Sequence, residues 1–456
     1  MVLQTTEGLA SESARDILAV MHVRFNEHPF LRAVDPPAFW RWVARQRWFG
    51  GKARTVLDWS VRDTLEVGAG LLIALEITYA DGGEVYTVPV QWSVDAPEEA
   101  IVLEKDGRKL CDATALPEFR DWLFRMLQPR AAASRLFPDG NVPVSRVLKA
   151  EQSNTSIIYG DKLFLKFYRR LVTGENPDAE LTRYLSEVAH FPHVPAFGGV
   201  VTWNDASVAL ATEMTPNEGD AWPLALATAR EYFATGSMGN WLEHAALLGR
   251  RTGEMHTALT AATEADFAPE PFTEADLEAL RAEIARLDGS NRATLAGRVD
   301  SLPASVGGLA KRYLAGSAAS LTVDLPTGAV KTRTHGDYHL GQVLWTGADF
   351  VIIDFEGEPS RSLAERRAKR SPLRDVAGML RSFHYAAYAA GGGTSAEKWA
   401  VASQGAFLGA WKQAAPGLLA GLGLLPFFIR EKALYELSYE LNNRPDWVRI
   451  PLQALA

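Results

Sequence analysis

Apolar and polar positions alternate over Trp59 to Val67, Leu71 to Tyr79 and Glu84 to Trp92, which predicts three strands. Ala80-Asp-Gly-Gly83 between the last two suits a hairpin turn. A second strand group is predicted at Val142 to Leu148, from Ile157, and again from Leu163 to Phe167 after the Gly160-Asp161 turn, with a further strand at Ser207 to Met214. Helical spacing marks Ser13 to Arg24, the Phe39 to Lys52 run stopped by Gly50-Gly51, Pro117 to Leu127, and a helix through Glu180 after Asn176-Pro-Asp178. Beyond Thr215 to Trp222, a turn-rich break, the pattern is mainly helical: Trp241 to Ala258, a helix capped by Thr273-Glu-Ala-Asp276 and running to Leu287, Asp375 to Ala390, Glu397 to Gln413, and a last helix from Glu431.

This order predicts an α+β chain in three parts: a cap of helices and antiparallel strands over 1–105, a small β-rich unit over 106–215, and a helical unit over 216–456. At 456 residues, 47% of them hydrophobic, there is material for more than one core. The net charge of -8 disfavours nucleic acid or an anionic membrane as the main partner and favours a small molecule or a protein. Cys111 is alone, so no internal disulfide forms, and a reducing cytoplasm is the expected setting. The first fifteen positions carry acidic residues and no apolar signal core. Ala414 to Ile429, the longest uncharged run, is too short for a membrane span, holds two prolines, and reads as two buried helix pieces.

Candidate chemistry concentrates in Arg333-Thr-His-Gly-Asp-Tyr-His-Leu-Gly-Gln342 and Val351-Ile-Ile-Asp-Phe-Glu-Gly357. Asp337, Gln342 five residues on and Asp354 twelve further match a phosphoryl-transfer pattern of base, amide ligand and Mg2+-binding carboxylate. Upstream, Lys166 sits inside an apolar strand, where a lysine is costly unless paired, and Glu180 follows fourteen residues later, where a kinase places the lysine's partner. The loop Ser153, Asn154, Thr155, Ser156 has no glycine, so phosphate contacts are expected from hydroxyl and amide groups and backbone N–H groups. Glu213 and Met214, at the break near 215, are where backbone groups would meet adenine. Any one of these features is weak. Their order predicts a bilobal protein-kinase-like fold that uses ATP and Mg2+, with Asp337 accepting the proton of an acceptor hydroxyl and Gln342 and Asp354 on the metal.

Other residues admit two readings. The aromatic and arginine run Phe39 to Lys52 suits a small core better than a ligand site. His256 suits helix packing better than ligation. Arg361 to Arg374 is either a solvated face or a lid beside an anionic nucleotide. Tyr435 and Tyr439 share a helix face, as do Glu436 and Glu440, which fits a sugar platform and fits core packing.

Gln46-Arg-Trp-Phe-Gly-Gly-Lys52, Glu151-Gln-Ser-Asn-Thr-Ser156, Asn176-Pro-Asp-x-Glu180, His335-Gly-Asp-x-His-Leu-Gly-Gln342, Ile353-Asp-Phe-Glu-Gly-Glu-Pro359 and the Tyr435 to Trp447 ending resemble bacterial maltokinases, which belong to the aminoglycoside-phosphotransferase-like kinases and carry an N-terminal cap. The resemblance extends over nearly the whole chain. It implies ATP-dependent phosphorylation of maltose at its anomeric hydroxyl, giving maltose 1-phosphate for α-glucan synthesis. It also implies substrate contacts from Lys432, Tyr435, Tyr439 and Trp447, with His335 of the loop a further candidate, and association with trehalose synthase. Two alternatives remain open: a glucosamine kinase of the same fold, for whose cationic sugar Glu436 and Glu440 are available, and a non-catalytic sugar or nucleotide sensor.

Overall fold

The computed structural model describes residues 25, 28–148, 153–299, 302–316 and 323–456. The helix expected at Ser13 to Arg24 and positions 149–152 of the polar loop lie outside the described residues. The contacts divide the chain into one unit of residues 1–179 and 196–214 and another of 180–195 and 215–456.

The first unit begins with helix α1 (Pro36–Arg45), whose N-terminus is capped by Asp35 accepting from the Ala38 amide at 3.0 Å. The helix ends at Arg45 rather than at Gly50-Gly51, because Gln46 turns extended and lets Trp48 and Phe49 fold back into the core. Gly51 serves packing instead: a Cβ there would stand 2.2 Å from the Tyr79 hydroxyl. Phe39, Trp42, Trp48, Phe49 and Trp59 form one buried aromatic core, so the run of aromatics is structural.

Strands β1 (Val56–Val67), β2 (Gly70–Tyr79), β3 (Gly82–Ser93), β4 (Ile101–Lys105) and β5 (Arg108–Asp112) form an antiparallel sheet in the order β1-β2-β3-β5-β4. Tyr79 pairs with Gly82 across the expected hairpin turn. Helices α2 (Pro117–Met126) and α3 (Ala131–Leu136) lead to β6 (Ser145–Val147), β7 (Asn154–Tyr159) and β8 (Leu163–Tyr168). Two-residue β9 (Arg170–Leu171) pairs with β3, so the chain leaving β8 is stitched directly to the cap sheet. After helix α4 (Pro177–Arg183), β10 (Phe197–Trp203) and β11 (Ala206–Glu213) complete a five-stranded sheet in the order β10-β11-β8-β7-β6.

The second unit is mainly helical: α5 (Ala221–Thr235), α6 (Trp241–Thr260), α7 (Glu274–Ala296), α8 (Ala304–Ala315), α9 (Leu363–Arg367), α10 (Leu373–Ala389), α11 (Gly393–Ala414), α12 (Leu425–Asn443) and α13 (Arg449–Leu455). Two-stranded ladders are made by β12 (Glu270–Pro271) with β13 (Val330–Lys331) and by β14 (Val343–Trp345) with β15 (Phe350–Ile352). Thr273 and Asp276 form the expected capping box, and α7 continues nine residues past its expected end at Leu287. Helices α6 and α11 approach closely at Gly249, where a Cβ would lie 2.0 Å from the Phe407 carbonyl oxygen. Among the described residues no helix is long and apolar enough to cross a membrane.

Candidate functional site

In the first unit Lys166 lies on β8 opposite Ser156 of β7 and Leu210 of β11. Residues directly opposite share a sheet face. Lys166, Ser156, Asn154 and Tyr168 therefore line one face, while Leu165, Phe167 and Ile157 enter the core on the other. Lys166 is 7% exposed, and its ammonium lies 3.2 Å from Asp178. Asp178 is fixed in turn, its amide donating to the Asn176 side chain at 2.9 Å as helix α4 begins.

Within the first unit the charge on Lys166 is met by Asp178, two residues before the Glu180 expected from the sequence. Glu180 belongs to the second unit, where it accepts from Arg333 at 2.8 Å and from both donors of Arg367 at 2.9 and 3.1 Å. Burial raises its pKa, but the two arginines outweigh that and hold it ionised, below the usual carboxylate range.

The polar loop needs a correction. Asn154, Thr155 and Ser156 are strand residues of β7, and only Ser153 of the four is exposed. Thr155 points to the face opposite Lys166, where it accepts from Arg169 at 2.8 Å; Arg169 also reaches Asp112 at 2.7 Å. Thr155 thus ties β7 to the cap and leaves the phosphate set. Ser156 is fully buried, and its hydroxyl has no partner among the described residues. At the strand end, the Glu213 amide donates to Ala196 and the Met214 amide to Lys162, while the Glu213 carboxylate meets Arg135. Both amides are committed, which leaves these two residues only carbonyl oxygens for an adenine.

In the second unit the 333–342 loop hangs on Asp375. That buried carboxylate accepts from the His335 amide at 2.8 Å and the Gly336 amide at 3.0 Å, and meets His256 at 3.2 Å. His256 is in turn bonded by Trp411 at 3.0 Å, so it packs and orients as expected. Burial works to raise the Asp375 pKa, but the His256 contact and the amides pull it below the ordinary value. Gly336 accommodates the turn with a φ of 86°.

His335, expected at the substrate, is instead 1% exposed. Its Nε2 lies 2.9 Å from the Ile353 carbonyl, and its ring packs on Tyr338 and Phe355. It joins the 333–342 loop to the 351–357 loop. Gln342 receives the Ile353 amide on its carbonyl at 3.0 Å, a second tie between the loops.

Asp354 adopts a φ of 68°, in the left-handed region that aspartate enters more readily than most residues. Asp354 and Glu356 each offer a carboxylate oxygen, within 4.8 Å of one another. Glu356 was missed in the sequence, though its place two residues after Asp354 could have suggested it. These are hard oxygen donors of the kind Mg2+ prefers, with the Gln342 amide oxygen a third of the same type.

Beside Asp337 lies a charge cluster that α12 brings in. Lys432 stands 3.2 Å from Asp337 and 2.9 Å from Glu358. Burial opposes the lysine's charge, but the two carboxylates prevail and raise its pKa. Glu358 is 3% exposed; burial alone would raise it, yet Lys432, Arg374 and Arg361 hold it at about 2. Tyr435 completes the group, with Lys432 5.0 Å from its ring centre and Ser360 3.3 Å from its hydroxyl.

Tyr439 and Trp447 are gathered elsewhere, around Arg444, which lies 5.2 and 5.1 Å from their ring centres. Glu436 and Glu440 are not available to an amino sugar as drawn from the sequence: Glu436 holds Arg381 at 2.7 Å, and buried Glu440 holds Arg444 at 2.6 Å and Tyr385 at 3.2 Å. The Arg361 to Arg374 stretch is neither a solvated face nor a free lid. Arg361 binds Glu358 at 2.6 Å, Arg366 the Glu356 carbonyl at 3.0 Å, Arg367 Glu180, and Arg374 Glu431 at 2.7 Å.

A model described as the maltokinase N-terminal cap domain matches residues 42–115, and one described as the phosphotransferase enzyme family matches residues 146–383. A glucosamine kinase of Streptacidiphilus jiangxiensis is 27% identical over 399 residues, covering 81% of this chain and 88% of that protein. A glucosamine kinase of Mycolicibacterium smegmatis is 28% identical over 333 residues, covering 68% and 78%. Among solved structures, a glucosamine kinase in complex with glucosamine, ADP and inorganic phosphate superposes with a TM-score of 0.62 at 22% identity, covering 93% of this chain and 97% of that one. The fold is therefore the α+β kinase-like fold expected from the order of elements.

Proposed function

Because the chain belongs to the phosphotransferase enzyme family, we propose that it transfers the terminal phosphoryl group of ATP to a sugar hydroxyl, and that the acceptor is maltose at its anomeric position. The observation that carries the reading is the Asp337–Lys432–Glu358 cluster with Tyr435 beside it. Asp337 orients the acceptor hydroxyl and takes its proton, while Lys432 fixes the carboxylate's direction. Tyr435 offers a ring face to the sugar's C–H surface. Lys166, steadied by Asp178, binds nucleotide phosphates, with Asn154 and Ser156 on the same strand face and Ser153 just before them. Asp354, Glu356 and Gln342 are the residues that would hold Mg2+. The ion, when bound, neutralises charge on the phosphoryl group in transit.

Maltose is supported by the engagement of Glu436 and Glu440 with Arg381 and Arg444, carboxylates that an ammonium sugar would otherwise draw on. Glucosamine is the second reading, favoured by the names of the relatives. Measuring ADP release with maltose, glucosamine, glucose and an aminoglycoside side by side decides between them: turnover of glucosamine without maltose reverses the assignment, and no turnover with any acceptor favours a sensor. Association with trehalose synthase in the cytoplasm rests on the sequence resemblance and is checked by co-purification.

A further inference from the structure

A cavity in the second unit borders the Asp337 cluster and shares Tyr435 with it. It has a volume of about 520 Å3, within the range of small-molecule pockets. Six cations line it: Arg286, Lys331, Arg361, Lys369, Arg370 and Arg374. Four carboxylates share the lining. Five of the cations have partners. Arg286 holds Glu283 at 2.7 Å, Lys331 holds Asp276 at 2.9 Å and Arg374 holds Glu431 at 2.7 Å. Arg361 and Lys369 bind Glu358 at 2.6 Å and Glu270 at 2.8 Å, carboxylates that lie outside the lining.

Arg370 is the exception. Among the described residues its guanidinium makes no ion pair or hydrogen bond, although its backbone is fixed by bonds to Thr332 at 2.9 and 2.8 Å. It is half-buried and lines the cavity. Burial lowers its pKa and repulsion from Arg374 and Arg361 adds to that effect, outweighing the pull of Glu431 and Glu365. A partly desolvated arginine among like charges is unfavourable by itself and becomes favourable when an anion supplies the missing charge.

We propose that this cavity binds a phosphate-bearing ligand, inorganic phosphate or a phosphate monoester, with Arg370 as its main contact. A phosphate supplies the negative charge that Arg370 lacks, and its oxygens suit the planar guanidinium fork. The hydroxyls of Ser360 and Ser371 line the same space. Arg361, Arg374, Glu431 and Tyr435 also line the small cavity at Lys432, so a bound phosphate draws on arginines that hold Glu358 and Glu431. The proposal stands apart from the choice of acceptor, because it concerns binding and not turnover.

The test is calorimetric titration of the full chain, without nucleotide, with inorganic phosphate and with glucose 1-phosphate at matched ionic strength. The native chain is expected to bind at least one of them. Arg370→Gln should bind at least tenfold more weakly, and Arg370→Lys should keep part of the affinity. Tighter binding of the ester assigns the cavity to a monoester, and equal binding assigns it to the phosphate group alone; both support the site. Unchanged affinity in Arg370→Gln places the phosphate elsewhere, such as in a nucleotide site, and overturns the proposal, as does absence of binding in the native chain. The ligand-free Arg370→Gln chain should also melt no lower than the native chain, since an unpaired cation has been removed; a lower melting temperature would make Arg370 structural.

Discussion

The Lys432 ammonium lies 3.2 Å from Asp337 on one side and 2.9 Å from the buried Glu358 on the other. The lysine thus links the carboxylate with the clearest chemical task to one that is locked in place. Lys432→Met removes the link while Arg361 and Arg374 still satisfy Glu358. Misplacing a reacting group by an ångström costs on the order of 100-fold in rate, so kcat/KM should fall by about that factor with the fold retained. A steady-state ADP-release assay beside circular dichroism checks this; an unchanged kcat/KM contradicts the role given to Lys432.

Asp178 and Glu180 should respond differently to neutralisation. Asp178→Asn removes a carboxylate from the Lys166 ammonium and should raise the KM for ATP at least tenfold, about 1.4 kcal/mol of lost positioning. Glu180→Gln leaves Arg333, 2% exposed, without its full counter-charge, and should cost about 3 kcal/mol of stability. Nucleotide KM values and urea denaturation of both variants provide the comparison. Should Glu180→Gln raise the KM for ATP more than Asp178→Asn does, the pairing seen here is not the working one.

That pair also shows where the sequence stops being informative. Strand and helix order, the Tyr79–Gly82 hairpin, the Thr273 capping box and the Asp337, Gln342 and Asp354 spacing follow from local pattern, and these were legible. Asp178 and Glu180 are two residues apart, about 200° around a helix, so they point to opposite sides, and sequence spacing does not say which way α4 starts. The place of His335 between the two loops was not legible, because its bond to Ile353 spans eighteen residues and exists only once the loops are folded together. Glu358 and Asp375 gave no signal for the same reason: their partners Lys432 and His256 lie 74 and 119 residues away. Thr155 differs from Ser156 only by strand alternation, which becomes readable once the polar loop is known to be a strand.

Acid should unfold this protein in two steps. His384 is held at about 3, against an ordinary 6.5, by burial and by Arg381, so the unfolded chain binds a proton there that the folded chain refuses. Stability from this group is full above 6.5 and is lost as pH falls toward 3. Glu358, held at about 2 against 4.5, adds stability above 4.5 that is lost between 4.5 and 2. Melting temperatures across pH should therefore slope downward below 6.5 and steepen below 4.5. His384→Gln should flatten the upper part and Glu358→Gln the lower; a slope indifferent to both variants removes these groups from the account.

Tyr435 stands against Lys432, whereas Tyr439 and Trp447 surround Arg444. Tyr435→Ala should raise the acceptor KM by about tenfold, the size of one lost ring contact, and leave the KM for ATP unchanged. Equal changes in both constants would mean that the ring supports the loop instead of the sugar.

The most direct measurement is initial-rate ADP release with maltose and Mg-ATP, run for the native chain and for Asp337→Asn at matched folded fraction. The account predicts steady maltose-dependent turnover in the native chain and a loss of at least 100-fold in the variant, in the range for removing a general base. Maltose-dependent turnover that survives in Asp337→Asn, or its absence in a folded native chain, would contradict it.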